Sequence, residues 1–337
     1  MKAAVYFGIH DVKVTDFPEP ELKDNCVKIA VQYCGLCGTD IHKFNGQGGS
    51  RPVIPPVALG HEVSGIVVDL GDKVSKDIKI GDRVVVDPNW HCGHCYYCQN
   101  GLPHMCENAR GVSKGFAEYV CPPQENVYKI PDSLSLKYAC LAEPLSCCIH
   151  GMDQLNVKSG DTVMIIGFGA IGAFMLQLAK LSGASTIIVV EPIEKKKELA
   201  LKLGANYFIN SSKNVKQKLK DLKIKNVDKV MECVGLKSTI ENALDYAEKC
   251  ATVCLFGLGN PNNPPFFEQY SAFQKELTIK TSFVNPNCTQ RAINLLASGQ
   301  IDCESCISKV LTLEDIPEEL LTKKYFNQGK VIVKIPQ

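Results

Sequence analysis

Neither sign of charge predominates in this 337-residue chain, where 37 Lys and Arg stand against 36 Asp and Glu. Without a cationic surplus there is no electrostatic footprint for nucleic acid or an anionic membrane surface, and the dense basic run is confined to Lys195–Lys197. Long apolar runs are also missing: nothing approaches the roughly 18 residues of a membrane span. The N-terminal MKAAVYFGIHDVKV alternates like a strand and has no charged head, apolar stretch or small-residue cleavage site of an export signal. These absences predict a soluble, cytoplasmic protein with a small-molecule partner.

Cysteine, by contrast, is abundant. Seventeen is an odd number, and nothing in the chain places it in an oxidising compartment, so metal ligation or reduced core thiols are expected rather than disulfides. Cys26, Cys121, Cys250 and Cys254 lie in apolar, strand-like text and read as small buried hydrophobes. Cys92, Cys95, Cys98 and Cys106 are different, being separated by two, two and seven residues. Thiolates at CxxC spacing curl round one ion and a fourth closes a tetrahedral zinc shell, which leaves no position for substrate. His91, His94 and His104 are nearby spare ligands.

The chain is too long for one comfortable core, and its texture changes part-way along. Residues 1–150 carry 11 of the 18 prolines and consist of short apolar runs broken by Gly, Pro and Asp, the pattern of a β-rich domain. From about Thr162 strand-like and helix-like segments alternate (DTVMIIG, AIGAFMLQLAKLSGA, STIIVVEP, EKKKELALKLGA, VDKVMECVG), which predicts an α/β, doubly wound parallel sheet. After LTIKTSFVNP come one helix and two strand-like pieces, ISKVLTLEDIP and KVIVKIP, too short for a domain of their own.

Gly167-Phe168-Gly169-Ala170-Ile171-Gly172 follows a predicted strand and opens a predicted helix. The first glycine suits the tight turn, the second lets backbone N–H groups reach a pyrophosphate, and the third permits close helix packing. Glu191, nineteen positions past Gly172, ends the next strand and suits the adenosine ribose hydroxyls, favouring NAD(H) over NADP. Lys195, Lys196 and Lys197 stand close enough to meet ribose or phosphate, with Lys196 the candidate contact, although a solvated helix face also accounts for them.

A reactive metal needs three protein ligands and an open position. Cys34-Gly-Leu-Cys37-Gly-Thr39-Asp40-Ile-His42, Gly60-His61-Glu62 and Glu143-Pro144 offer candidates, each beside glycine or proline. Cys34 and Cys37 also form a CxxC, but no thioredoxin-like βαβ surrounds it.

Taken in order, CGLCGTDIH, LGHEVSG with GDRVVV, the four-cysteine run, GFAEYV, LAEPLSCCIHG and GFGAIG resemble the zinc-containing medium-chain dehydrogenase/reductase family, in its sorbitol and arabinitol dehydrogenase-like branch. The resemblance runs over essentially the full chain. It implies a GroES-like catalytic domain at 1–151, completed by 286–337, and a Rossmann dinucleotide-binding domain at 152–285. It implies two zinc ions, one structural on the four thiols and one catalytic, with Cys37 and His61 as ligands, Asp40 and Glu62 as the carboxylates beside them, able to orient ligands or briefly join the metal, and Glu143 at the third-ligand position, direct or through water. Thr39 and His42 match the proton relay of the family. Cys147 and Cys148 fall off the pattern and read as core.

The expected reaction is NAD(H)-linked interconversion of a polyol and its ketose. Glu143 in place of a thiolate makes the zinc site harder and suits a substrate with a second hydroxyl. Phe44 and Phe116 are candidates for the pocket wall, or core. A basic substrate-binding residue expected near Ser282–Pro286 in sorbitol dehydrogenases is missing, Val284 standing there, which leaves pentitols, phosphorylated polyols, 2,3-butanediol and L-threonine open. A zinc-free enone reductase would lack the ligands, a metal store would not need the glycine loop, and an NAD(P)H-binding crystallin-like protein would not need Cys37, His61, Thr39 and His42. A homodimer or homotetramer is implied, through the sheet edge near residues 251–259.

Overall fold

The computed structural model describes residues 1–47 and 52–336. They form two compact units, Met1–Ser146 with Pro286–Gln337, and Cys147–Asn285, the boundary falling inside the helix Ala142–Leu155.

The first unit is built on the strand Val27–Leu36. It pairs antiparallel with Glu62–Leu70 on one side and Lys330–Lys334 on the other, and over Ile29 and Ala30 with Tyr119–Val120. Arg83–Val86 and Val127–Lys129 extend the sheet beyond Glu62–Leu70, and Ile307–Leu311 extends it beyond Lys330–Lys334. Period-2 alternation sends Val27, Ile29, Val31, Val331 and Val333 to one buried face, where they meet Val63, Val67, Val84 and Phe116. Each such side chain contributes roughly 1.5–3 kcal/mol by leaving water. A smaller sheet of Lys2–Gly8, Asp11–Asp16 and Val57–Ala58 completes the unit.

The second unit is a six-stranded parallel sheet in the order Tyr207–Ile209, Thr186–Val190, Thr162–Ile166, Lys229–Glu232, Thr252–Leu255, Thr278–Thr281. Ile165, Ile187, Ile188 and Val189 are almost wholly buried because the inner strands are covered on both faces, so these strands read as continuous apolar runs. The chain leaves the centre in opposite directions on either side of Thr162–Ile166, and ligands of such sheets bind beyond the carboxyl ends of the strands at that point.

Two expectations change, and one left open between pocket wall and core is narrowed. Thr252–Leu255 is an inner strand, and the edge is Thr278–Thr281, whose four residues are all exposed. Cys250 is exposed, at φ 61°, because it lies in the turn before Thr252–Leu255 rather than in the strand. Phe44 and Phe116 are core residues of the first unit. No helix among the described residues is long and apolar enough to cross a membrane.

Candidate functional site

The strand Val27–Leu36 ends at Cys37, which caps the short helix Gly38–Phe44. The Thr39 N–H points at Cys37 Sγ from 3.5 Å, and the Cys37 N–H donates to Asp40 Oδ2 at 3.1 Å. Asp40, fully buried, also accepts from the Gly60 N–H at 3.2 Å and lies 3.6 Å from His61 Nδ1. One carboxylate thus fixes the backbone of Cys37 and the loop that carries His61, the kind of support that orients metal ligands. Gly60 has φ 84°, and a Cβ there would lie 2.7 Å from the Phe116 nitrogen, so the turn delivering His61 requires glycine.

Burial opposes charging His61, yet Asp40 and Cys37 hold its pKa well above the ordinary value. Asp40 stays below the usual carboxylate range despite burial, chiefly through His61. Glu62 follows at once as the first residue of Glu62–Leu70. One ligand atom each of Cys37, His61 and Glu62 lies within 4.8 Å of the other two. Glu143, in the first turn of Ala142–Leu155, is buried outside that trio. Its pKa is pushed up to about 7, first by burial, with Glu62 and Asp87 adding to the rise and His61 and Lys330 opposing it.

Lys330, which sequence reasoning missed, enters from the C-terminal strand. Its ammonium donates to Glu62 Oε1 and, at 2.9 Å, to the Leu36 carbonyl. Burial disfavours its charge, but Glu62, Cys37 and Glu143 more than offset this and raise its pKa. Thiol, imidazole and carboxylate donors in one place, with Glu62 and Glu143 both close to the Lys330 ammonium and Asp40 beside His61, fit a divalent cation of the zinc type.

Thr39 and His42 lie three residues apart on Gly38–Phe44, which puts them on one face, and His42 Nδ1 is 2.8 Å from Gln47 Oε1.

The second thiol cluster occupies residues 89–111, pinned at its base where Asn89–Trp90 pairs with Arg110–Gly111. Cys92, Cys95, Cys98 and Cys106 bring their sulfurs within 4.8 Å of one another, and His91, His94 and His104 lie outside the group. Backbone N–H groups of Cys92 and Asn108 each reach Cys106 Sγ at 3.3 Å. The His94 N–H leads in pulling Cys92 down to about 5, whereas burial and its neighbouring thiols raise Cys98. Donors aimed at sulfur stabilise thiolate, the form that binds metal.

In the second unit the three glycines of the loop differ in the space around them. Gly167 has φ 89°, a Cβ on Gly172 would lie 2.0 Å from the Gly167 carbonyl oxygen, and one on Gly169 would meet nothing within 4 Å, leaving that side open to a phosphate. Ala170 and Ile171 open the helix Ala170–Leu181. Glu191, buried just past Thr186–Val190, accepts from the Phe168 N–H at 2.7 Å and the Ile193 N–H at 3.2 Å, with Lys196 Nζ 3.6 Å away. Val284 adopts φ 49°, a left-handed conformation unusual for a β-branched residue.

Comparison with known proteins agrees with this geometry. Residues 23–132 match the alcohol dehydrogenase GroES-like domain and residues 170–298 the zinc-binding dehydrogenase family. The chain is 32% identical to the sorbitol dehydrogenase of Bacillus subtilis (strain 168), over 95% of this chain and 92% of that protein. It is also 32% identical to D-arabinitol dehydrogenase 1 of Uromyces fabae, over 95% and 93%. A zinc-binding dehydrogenase from Sinorhizobium meliloti 1021, solved bound to NADP, superposes with a TM-score of 0.93 at 34% identity, covering 99% of this chain and 98% of that one.

Proposed function

Since the chain belongs to the zinc-containing medium-chain dehydrogenase/reductase family, in its polyol dehydrogenase branch, we propose that it interconverts a polyol of the arabinitol or sorbitol class and its ketose by hydride transfer, with Cys37, His61 and Glu143 around a catalytic zinc. The observation that carries this reading is the convergence of Cys37 with the consecutive pair His61 and Glu62 from a second stretch of chain, with Glu143 beside them. The chemistry available there with zinc and nicotinamide bound is stabilisation of charge on the substrate oxygen and acceptance of hydride.

The chain's own groups do the rest. Asp40 holds the Cys37 backbone and His61 in register. Glu143, buried and poised near neutrality, suits hydrogen bonding to a second substrate hydroxyl or to a water beside the metal. Thr39 accepts the substrate hydroxyl proton as it gives up its own hydroxyl proton, and His42 hands a proton on to solvent, a role suited to an imidazole, which can both accept and donate.

A second, structural zinc on Cys92, Cys95, Cys98 and Cys106 belongs to the same reading. So does preference for NAD(H) at Gly167–Gly172: the Glu191 carboxylate just past its strand suits the adenosine ribose hydroxyls, and Lys196, 3.6 Å from Glu191, is engaged there rather than left for a 2′-phosphate. The exposed edge strand Thr278–Thr281, with Tyr270 and Phe273 exposed just before it, suits a homodimer or homotetramer interface.

The test is turnover at 340 nm with NAD or NADP against sorbitol, xylitol, both arabinitols, galactitol, phosphorylated polyols, 2,3-butanediol and L-threonine. NAD-linked oxidation of a pentitol or hexitol, abolished by Cys37→Ser, is expected. Turnover of butanediol or threonine alone would overturn the substrate assignment, and inactivity of zinc-replete protein would leave a non-enzymatic NAD(P)H-binding role.

A further inference from the structure

The buried ion pair of Glu62 and Lys330, beside Cys37 and His61, is not used by the chemistry above. Glu62 lies opposite Gly35 in the register of its strand pair, and Ile332 lies opposite Gly35 on the other side. Lys330, two residues from Ile332, shares its face. Gly35 has no side chain to separate them, and a Cβ there would lie 1.8 Å from Glu62 Oε2. The carboxylate and the ammonium therefore meet over the central strand, both essentially excluded from water. Glu62 has two competing neighbours, Lys330 on one side and the Cys37–His61 pair on the other. The second bond of Lys330, to the Leu36 carbonyl, falls on the residue that precedes Cys37. Left without a partner, a buried carboxylate this close to a divalent cation would become its ligand.

Resting on the zinc reading, we propose that Lys330 is a positioning residue of the catalytic metal site: by keeping Glu62 as its ion-pair partner it holds that carboxylate off the metal, and so sets how tightly the site retains its cation and how readily it admits substrate. Glu62 would then be a ligand in reserve, released only when the lysine lets go.

Cobalt exchanged into the catalytic site supplies a readout independent of turnover. In Lys330→Met, Glu62 is expected to join the metal, giving weaker and broader visible absorption, at least tenfold slower loss of cobalt to a chelator, and a kcat reduced at least tenfold with little change in KM. Lys330→Arg should restore the wild-type spectrum, and Glu62→Gln added to Lys330→Met should return both spectrum and cobalt loss to wild type. Wild-type behaviour of Lys330→Met, or faster cobalt loss that Glu62→Gln does not reverse, would overturn the proposal. Should Lys330→Met not fold, Glu62→Gln alone decides: an unchanged spectrum supports a carboxylate held off the metal, and an altered one overturns it. Failure of the zinc reading shows separately, as wild-type protein whose metal content Cys37→Ser does not lower.

Discussion

The two candidate metal clusters of the first unit use overlapping chemistry to opposite ends. The lobe at 89–111 gathers four thiols from one short stretch and aims backbone N–H groups at the sulfurs, so its ligands depend only on local chain. The cluster at Cys37 gathers a thiol, an imidazole and a carboxylate from the ends of two strands, and braces them with Asp40 and Lys330. Four like donors can fill a tetrahedral shell, whereas three protein ligands leave a position open for exchange. The lobe is therefore expected to control stability, and the Cys37 cluster reactivity.

Cys106→Ser should have the largest effect. Removing a sulfur that takes two backbone N–H groups and touches Cys92 is expected to release the lobe's metal and cost on the order of several kcal/mol, read by thermal unfolding with metal analysis. Cys37→Ser should do the reverse, lowering turnover about 1,000-fold, roughly 4 kcal/mol of transition-state stabilisation, while unfolding within about 2 °C of wild type. If the two variants melted alike, the division of roles would be lost. Gly35→Ala should fall between them. Its Cβ overlaps Glu62, so a cost of about 1–3 kcal/mol is expected together with disturbed cobalt absorption at the Cys37 cluster only. Trp90→Phe should be the mildest. It removes the 2.8 Å bond from Trp90 Nε1 to Glu125, worth about 1 kcal/mol, beneath the lobe, and should lower the melting temperature without changing kcat/KM.

What the residues disclose in advance follows the same division. Local arrangements are readable: the four-thiol spacing, the glycine loop on a strand-to-helix turn, and the alternating text of 162–255 all depend on neighbours a few positions apart. Lys330 was not, because its partner Glu62 is 268 positions away and GKVIVKIP reads as an ordinary strand with a polar start. The place of Thr252–Leu255 inside the sheet was equally hidden, since an inner strand and an edge strand differ only in whether a later segment pairs with them, as Thr278–Thr281 does here. Cys250 misleads for a smaller reason: its apolar neighbours belong to the following strand, and the residue itself turns outward.

The bond between Lys330 and Leu36, spanning 294 positions, also sets an order of events during synthesis. Cys147–Asn285 holds every strand of its own sheet and can close while the chain is still growing, but the sheet around Cys37 must wait for Lys330–Lys334 to fill the place beside Val27–Leu36. On a ribosome adding about 5–20 residues per second, the nucleotide-binding unit has several seconds to settle before the last strand emerges. The Cys37 cluster is thus finished after the nucleotide-binding unit, and a nascent chain cut short before residue 330 would carry Cys37, His61 and Glu62 without the lysine that pairs with Glu62.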